Sequence, residues 1–209
     1  MHLTIDGLDI DVDQGTTVLE AARGAGIYIP TLCFHPDLPL SLAVCRLCVV
    51  EATEAESRFP SSCVTPVAQG MTVHTNTPAI RELRRHFFKA IFSPLPSPRL
   101  NMPGLKKLAD YIGVGEDDFP PYISKNLPVD LDQPLFELDH NRCILCGLCA
   151  RACRELRGVG AIDFGFREDK WVVGPFPSPS LKENGCRFCG LCVEVCPTGA
   201  MRYKKDGYN

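Results

Sequence analysis

Two stretches decide how the last third of this chain folds: Cys143-Ile-Leu-Cys-Gly-Leu-Cys-Ala-Arg-Ala-Cys153 and Cys186-Arg-Phe-Cys-Gly-Leu-Cys-Val-Glu-Val-Cys196, the second followed by Pro197. Both have the spacing Cys-x2-Cys-x2-Cys-x3-Cys and share Cys-x-x-Cys-Gly-Leu-Cys, so they are an internal repeat. Gly147 and Gly190 hold the same place in each. A residue without Cβ there lets the backbone turn tightly and aim amide N–H groups at sulfur. Thiols this closely spaced crowd onto one loop and converge on a centre. Disulfides are the first alternative, but the N-terminus Met1-His-Leu-Thr-Ile-Asp6 is no secretory signal, and disulfides are rare in the cytosol. Zinc is the second. It suits a lone Cys-x-x-Cys better than four cysteines in so short a run.

The second run, closed by Pro197, has the spacing of bacterial ferredoxins. That resemblance implies two [4Fe-4S] clusters, with the fourth cysteine of each run ligating the other cluster. One set is then Cys143, Cys146, Cys149 and Cys196. The other is Cys153, Cys186, Cys189 and Cys192. Between the runs, Gly158–Phe164 and Lys170–Gly174 read as two short strands, followed by a Pro-rich loop. Trp171 reads as a packing residue rather than a cover for a cluster.

Working outward, residues 1–13 alternate apolar and polar around Asp6-Gly7, a hairpin signal. Residues 16–25 read as a short capped helix ended by Gly26. Cys33 follows, and four cysteines form a second block: Cys33, Cys45, Cys48 and Cys63, spaced Cys-x11-Cys-x2-Cys-x14-Cys. Hairpin, helix and cysteine loop come in the order of the β-grasp ferredoxins. The first gap departs from the Cys-x4-Cys-x2-Cys of the plant type.

With Cys45-Arg-Leu-Cys-Val-Val-Glu51, Ser62-Cys-Val-Thr-Pro66 and Gly70-Met-Thr-Val73, the chain resembles three related proteins. They are the N-terminal region of the G-type subunit of NADH–quinone oxidoreductase, the diaphorase small subunit of NAD-reducing hydrogenases, and the accessory-cluster region of [FeFe]-hydrogenases. The resemblance covers nearly the whole chain. It implies one [2Fe-2S] cluster on Cys33, Cys45, Cys48 and Cys63. It also implies two kinds of partner: an NADH-binding flavoprotein subunit with an Fe–S cluster, and a second redox subunit, a hydrogenase or other reductase.

In that family a cluster with one His and three Cys ligands lies between the two modules. Here residues 81–114 contain no cysteine. Helical periodicity persists over 79–92, but His86 alone holds no cluster, and it reads as a surface or packing residue, as do His35, His74 and His140. Residues 93–134 carry eight prolines. They read as wrapping a partner or filling the space of the missing ligands, with a flexible linker as the alternative. No hydrogenase or molybdopterin domain is expected before Asn209. Neither a Gly-x-Gly-x-x-Gly fingerprint nor a P-loop is present, so nucleotide and flavin sites are expected elsewhere.

Composition agrees. The 209 residues include 22 Lys+Arg and 25 Asp+Glu, a net charge of −3, which excludes a basic nucleic-acid binder. No apolar run approaches the roughly 18–20 residues of a membrane span. Three oxidised clusters would take the charge to about −9. Arg46, Arg142, Arg151 and Arg187, if not simply solvated, would offset it locally. The expectation is an α+β chain of three parts: a β-grasp [2Fe-2S] domain at 1–78, a helical and Pro-rich connector at 79–135, and a two-cluster [4Fe-4S] ferredoxin-like domain at 136–209. The expected function is an electron relay, cytoplasmic or peripheral to a membrane complex, between an NAD(H)-linked flavoprotein and a second redox enzyme. A free ferredoxin-type carrier and an Fe–S redox sensor are the alternatives.

Overall fold

Leu3 and Ile5 are fully buried between polar neighbours, and this period-two pattern makes β1 (His2–Ile5). Asp6 and Gly7, both with positive φ, turn the chain into β2 (Leu8–Asp11), antiparallel to β1. The computed structural model describes residues 1–122, 126–167 and 169–204. Residues 123–125 of the expected connector, and 168 and 205–209 of the expected C-terminal module, lie outside the described residues.

α1 (Val18–Gly24) is shorter than the stretch read from sequence. Its start is fixed by a capping box in which Thr17 accepts from Glu20 N–H and Glu20 accepts from Thr17 N–H. Such a cap is worth about 1 kcal/mol. β3 (Glu51–Ala52) and β4 (Met71–His74) complete a sheet of order β2-β1-β4-β3, with β1 and β4 parallel. Leu3, Ile5, Leu19, Val50, Met71 and Val73 form its core, and Cys48 and Cys63 belong to the same buried cluster.

α2 (Pro78–Phe92) follows the expected periodicity. α3 (Pro103–Ile112) lies within the stretch read as Pro-rich loop. Pro103 takes the first helical position, Leu105, Leu108, Ala109 and Ile112 are buried, and Gly113 closes the helix with φ +76°. Within the same stretch the segments 93–100 and 116–120 are pinned together by Arg99, which is 4% exposed. Its Nη2 donates to Pro120 O at 2.8 Å. Glu116 accepts from Arg99 N–H (2.8 Å), Leu100 N–H (3.2 Å) and Ser97 Oγ (3.1 Å).

Two compact units result. The first holds Met1–Phe34, Leu40–Ala90 and Leu108–Val114. The second holds His35–Pro39, Ile91–Lys107 and the residues from Gly115 onward. Residues expected as connector are therefore distributed between the two. In the second unit β5 (Val129–Asp130) and β6 (Phe136–Asp139) precede the first run. α4 (Leu148–Arg151) then leads into a π-helical turn at Ala152–Leu156. β7 (Ile162–Arg167) and β8 (Lys170–Pro175) form the hairpin between the runs. α5 (Leu191–Glu194) and β9 (Met201–Tyr203) close the chain, and β9 pairs with β6 in a sheet of order β5-β6-β9. Trp171 is 62% exposed on the hairpin, its ring edge-on to Phe166 at 5.5 Å, which is surface packing.

Candidate metal centres

The first four thiols come from three segments of the first unit. Cys33 follows α1, Cys45 and Cys48 sit on the loop before β3, and Cys63 lies beyond it. All four are buried and free. They stand in two pairs. The sulfurs of Cys48 and Cys63 share a hydrogen bond at 3.3 Å, and Cys33 bonds Cys45. Two thiolates on one tetrahedral metal, with ~2.3 Å metal–sulfur bonds, stand about 3.8 Å apart. The Cys48–Cys63 sulfurs, at 3.3 Å, stand slightly closer than that.

Each shared hydrogen bond splits its pair. The hydrogen bond shared with Cys33 pushes the Cys45 thiol down to about 6, and the one shared with Cys63 pushes Cys48 down to about 7. Their partners Cys33 and Cys63 are pushed up by the same bonds and by burial. Each pair therefore has one thiol more acidic than its partner, and the thiolate is the form that binds metal. The Leu47 N–H donates to the Cys45 sulfur, and Arg46, with φ +56°, turns the backbone so that it can.

The two C-terminal loops repeat one backbone pattern. The residue before the second cysteine is left-handed in both, Leu145 at φ +54° and Phe188 at +51°. The residue after it is a left-handed glycine, Gly147 at +74° and Gly190 at +77°. A left-handed leucine or phenylalanine costs about 1–3 kcal/mol, and such strain is retained where it serves a site. Alternating hands turn successive N–H groups into one concavity suited to anions. Phe188 N–H donates to Cys186 Sγ at 3.3 Å, Met201 N–H to Cys196 Sγ at 3.4 Å, and Leu148 N–H to Cys146. An aromatic ring covers each glycine, Phe164 on Gly147 and Tyr203 on Gly190.

The fourth cysteine of each run lies close enough to the other run to act on its thiols, Cys196 on Cys146 and Cys149, and Cys153 on Cys186 and Cys192. Burial pushes Cys149 well up, and Cys146, Cys196 and Cys143 add to that in this order. Burial pushes Cys192 up to about 12, with Cys186, Cys153 and Cys189 adding. Cys192 is also the weakest of the thiols acting on Cys149, which links the two groups. Among the described residues, no three Cys, His, Asp or Glu side chains converge closely enough to hold one bare ion. In a cubane each thiolate binds its own iron, so its sulfurs stand wider apart than the ligands of a single ion. The thiols, none of them in a disulfide, the inward N–H groups and the left-handed glycines fit iron–sulfur clusters.

The basic residues singled out by sequence differ in fate. Arg151 is buried and bidentate to Glu155 at 2.9 and 2.8 Å, so its charge is matched within the protein. Arg142 lies 3.7 Å from Asp139, Arg46 stacks over Phe87, and Arg187 is exposed. His86 and His74 are exposed, whereas His140 is buried. His35 Nδ1 accepts from Asp37 N–H at 3.3 Å. Sequence reading missed Arg84, Phe164 and Tyr203. The available signal for Arg84 was a charge on the apolar stripe of α2, four residues from both Ile80 and Phe88.

Known proteins match along the same lines. Residues 1–78 match the 2Fe-2S iron-sulfur cluster binding domain, and residues 142–200 match the 4Fe-4S dicluster domain. A G-type subunit of NADH-quinone oxidoreductase from Rhizobium meliloti (strain 1021) is 39% identical over 98% of this chain and 25% of its own length. NADP-reducing hydrogenase subunit HndD of Solidesulfovibrio fructosivorans is 33% identical over 96% of this chain and 36% of its own. The chain thus spans a quarter to a little over a third of these relatives. One polypeptide in the crystal structure of an NAD+-reducing [NiFe]-hydrogenase in the H2-reduced state superposes with a TM-score of 0.81 at 33% identity. That match covers 100% of this chain and 89% of that one.

Proposed function

This chain belongs to the iron–sulfur family that runs through the G-type subunits of NADH-quinone oxidoreductase and the NAD(P)-reducing hydrogenases, and on that premise we propose that it is an electron-relay subunit of a multi-subunit oxidoreductase. The observation that carries the proposal is that none of the twelve cysteines is in a disulfide, four of them being buried in the first unit and eight gathered in the second. Cys33, Cys45, Cys48 and Cys63 hold a [2Fe-2S] cluster. Cys143, Cys146, Cys149 and Cys196 hold one [4Fe-4S] cluster, and Cys153, Cys186, Cys189 and Cys192 hold the other.

Such clusters, when bound, each take up and release one electron. The chain's own residues do the rest. Burial of the four N-terminal thiols keeps water from the first centre. The loop N–H groups that point at sulfur stabilise added negative charge and so favour reduction. The proposed parts are a [2Fe-2S] domain at 1–78, a connector at 79–135 and a two-cluster domain at 136–209. The donor or acceptor on one side is an NAD(H)-linked flavoprotein, and on the other a second redox enzyme such as a hydrogenase, with the whole assembly in the cytoplasm. Among the described residues no helix is long and apolar enough to cross a membrane.

Anaerobic purification from the native host tests this. The expected result is about ten Fe per chain, from one two-iron and two four-iron centres, together with a co-purifying flavoprotein. Stoichiometric zinc with little iron overturns the relay. A clean monomer that still cycles between redox states makes the protein a diffusible carrier instead.

A further inference from the structure

α2 turns Ile80, Phe88 and Phe92 inward, all at 0% exposure. Arg84 falls on the same stripe and is 2% exposed. A guanidinium in such a place must have its donors and its charge met. Its donors go to the loop of the first centre: Nε to Leu47 O at 3.1 Å and Nη2 to Val49 O at 2.8 Å. These carbonyls flank Cys48 on both sides. Nη1 makes no hydrogen bond of ordinary geometry. Burial disfavours the charge, and the groups that favour it are the Tyr111 phenol, the Cys48 thiol and the Tyr28 phenol. Those two phenol rings meet edge to face at 4.8 Å. No carboxylate is among these groups, and one of them, Cys48, is a proposed ligand of the first centre.

We propose that Arg84 is the buried counter-charge and positioning residue of the [2Fe-2S] centre, clamping the Cys48 loop through the Leu47 and Val49 carbonyls and raising the centre's reduction potential. The inference rests on the four-thiol reading above. Reduction adds negative charge to the centre. A fixed cation in a water-poor interior stabilises the reduced form more than the oxidised one. The planar fork of arginine reaches two carbonyls at once, which a lysine ammonium on its flexible stem does less well.

The test is the midpoint potential of the two-iron EPR signal in the anaerobic full chain, compared among wild type, Arg84→Lys and Arg84→Gln. The four-iron signals serve as the internal control. The expected result is a downward shift in Arg84→Gln and a potential near wild type in Arg84→Lys, with the four-iron signals unchanged. Failure of Arg84→Gln to hold a two-iron centre while Arg84→Lys holds it also supports the proposal, because both side chains can donate to a carbonyl and only one is charged. A two-iron centre in Arg84→Gln at the wild-type potential overturns it. Loss of the centre in both variants overturns it too, since charge then does not suffice. Wild-type protein without any two-iron signal overturns the underlying ligand reading, and the inference with it.

Discussion

The phenol of Tyr203 rests against Gly190 so closely that a β-carbon at position 190 would overlap its oxygen. Phe164 stands in the same relation to Gly147, with ring carbons 3.0 and 3.1 Å from where a Cβ would be. Both glycines are left-handed, so each is fixed twice over, by backbone conformation and by the ring above it.

Gly190→Ala therefore costs about 2–4 kcal/mol, from a strained φ and an overpacked contact. It should lose about four Fe per chain. Adding Tyr203→Ala restores space but leaves the left-handed backbone, so iron recovers only in part. Iron analysis and a thermal melt read both. Full iron retention in the single variant would remove the steric argument.

Cys48→Ser takes a ligand from the buried four-thiol set and leaves the second unit untouched. The two-iron EPR signal should vanish while the four-iron signals remain, with iron falling by about two per chain. Loss of all signals together would show that the two units do not hold their centres separately.

Cys153→Ala discriminates between interleaved and separate runs. Interleaving predicts loss of the centre held by Cys186, Cys189 and Cys192, although the mutated residue lies in the other run. A rhombic or three-iron signal carrying Cys186-side couplings, read by isotope-labelled cysteine, would support it. The same signal on the Cys143 side would refute it.

Glu116 tests the segment pinned by Arg99. Burial tends to raise its carboxyl, but the Arg99 and Leu100 amides, the Ser97 hydroxyl and the Arg99 side chain outweigh that and hold it below the usual carboxylate range. The unfolded chain then binds more protons than the folded one as pH falls through that range, so stability rises with pH there. Glu116→Gln should lower the melting midpoint by roughly 2–4 °C at pH 7. That gap should hold from pH 8 to pH 5 and close only under more acid conditions, where wild type loses its carboxylate. A gap that is constant throughout would mean the charge contributes nothing.

Much of this fold is local in origin, and those parts are legible in the sequence. The Asp6-Gly7 hairpin, the Thr17 cap, the inward stripe of α2 and the β7–β8 pair all announce themselves within ten or so residues. α3 carried its own signals, Pro103 at the start, Gly113 past the end and Leu105, Leu108, Ala109 and Ile112 on one face, but eight prolines in the surrounding stretch hid the period. The pairing of β6 with β9 joins Phe136 to Tyr203 across both cysteine runs, and no local pattern encodes it. The candidate site divides in the same way. Spacing points to the twelve thiols. It says nothing of Arg84 at the Cys48 loop or of the rings on Gly147 and Gly190, because those contacts are made only when distant segments pack.

The proposed interleaving of the two runs also bears on the order in which a growing chain can be completed. In the proposed ligand sets, the four N-terminal thiols and strands β1–β4 have all been made by His74, well before the second run begins. The Cys143 run has no such independence. Its fourth thiol, Cys196, emerges only after the β7–β8 hairpin and nearly all of the second run, and Cys153 must wait for the same residues. On that assignment the ligands of the first centre are complete early in synthesis, and those of the other two only late and together.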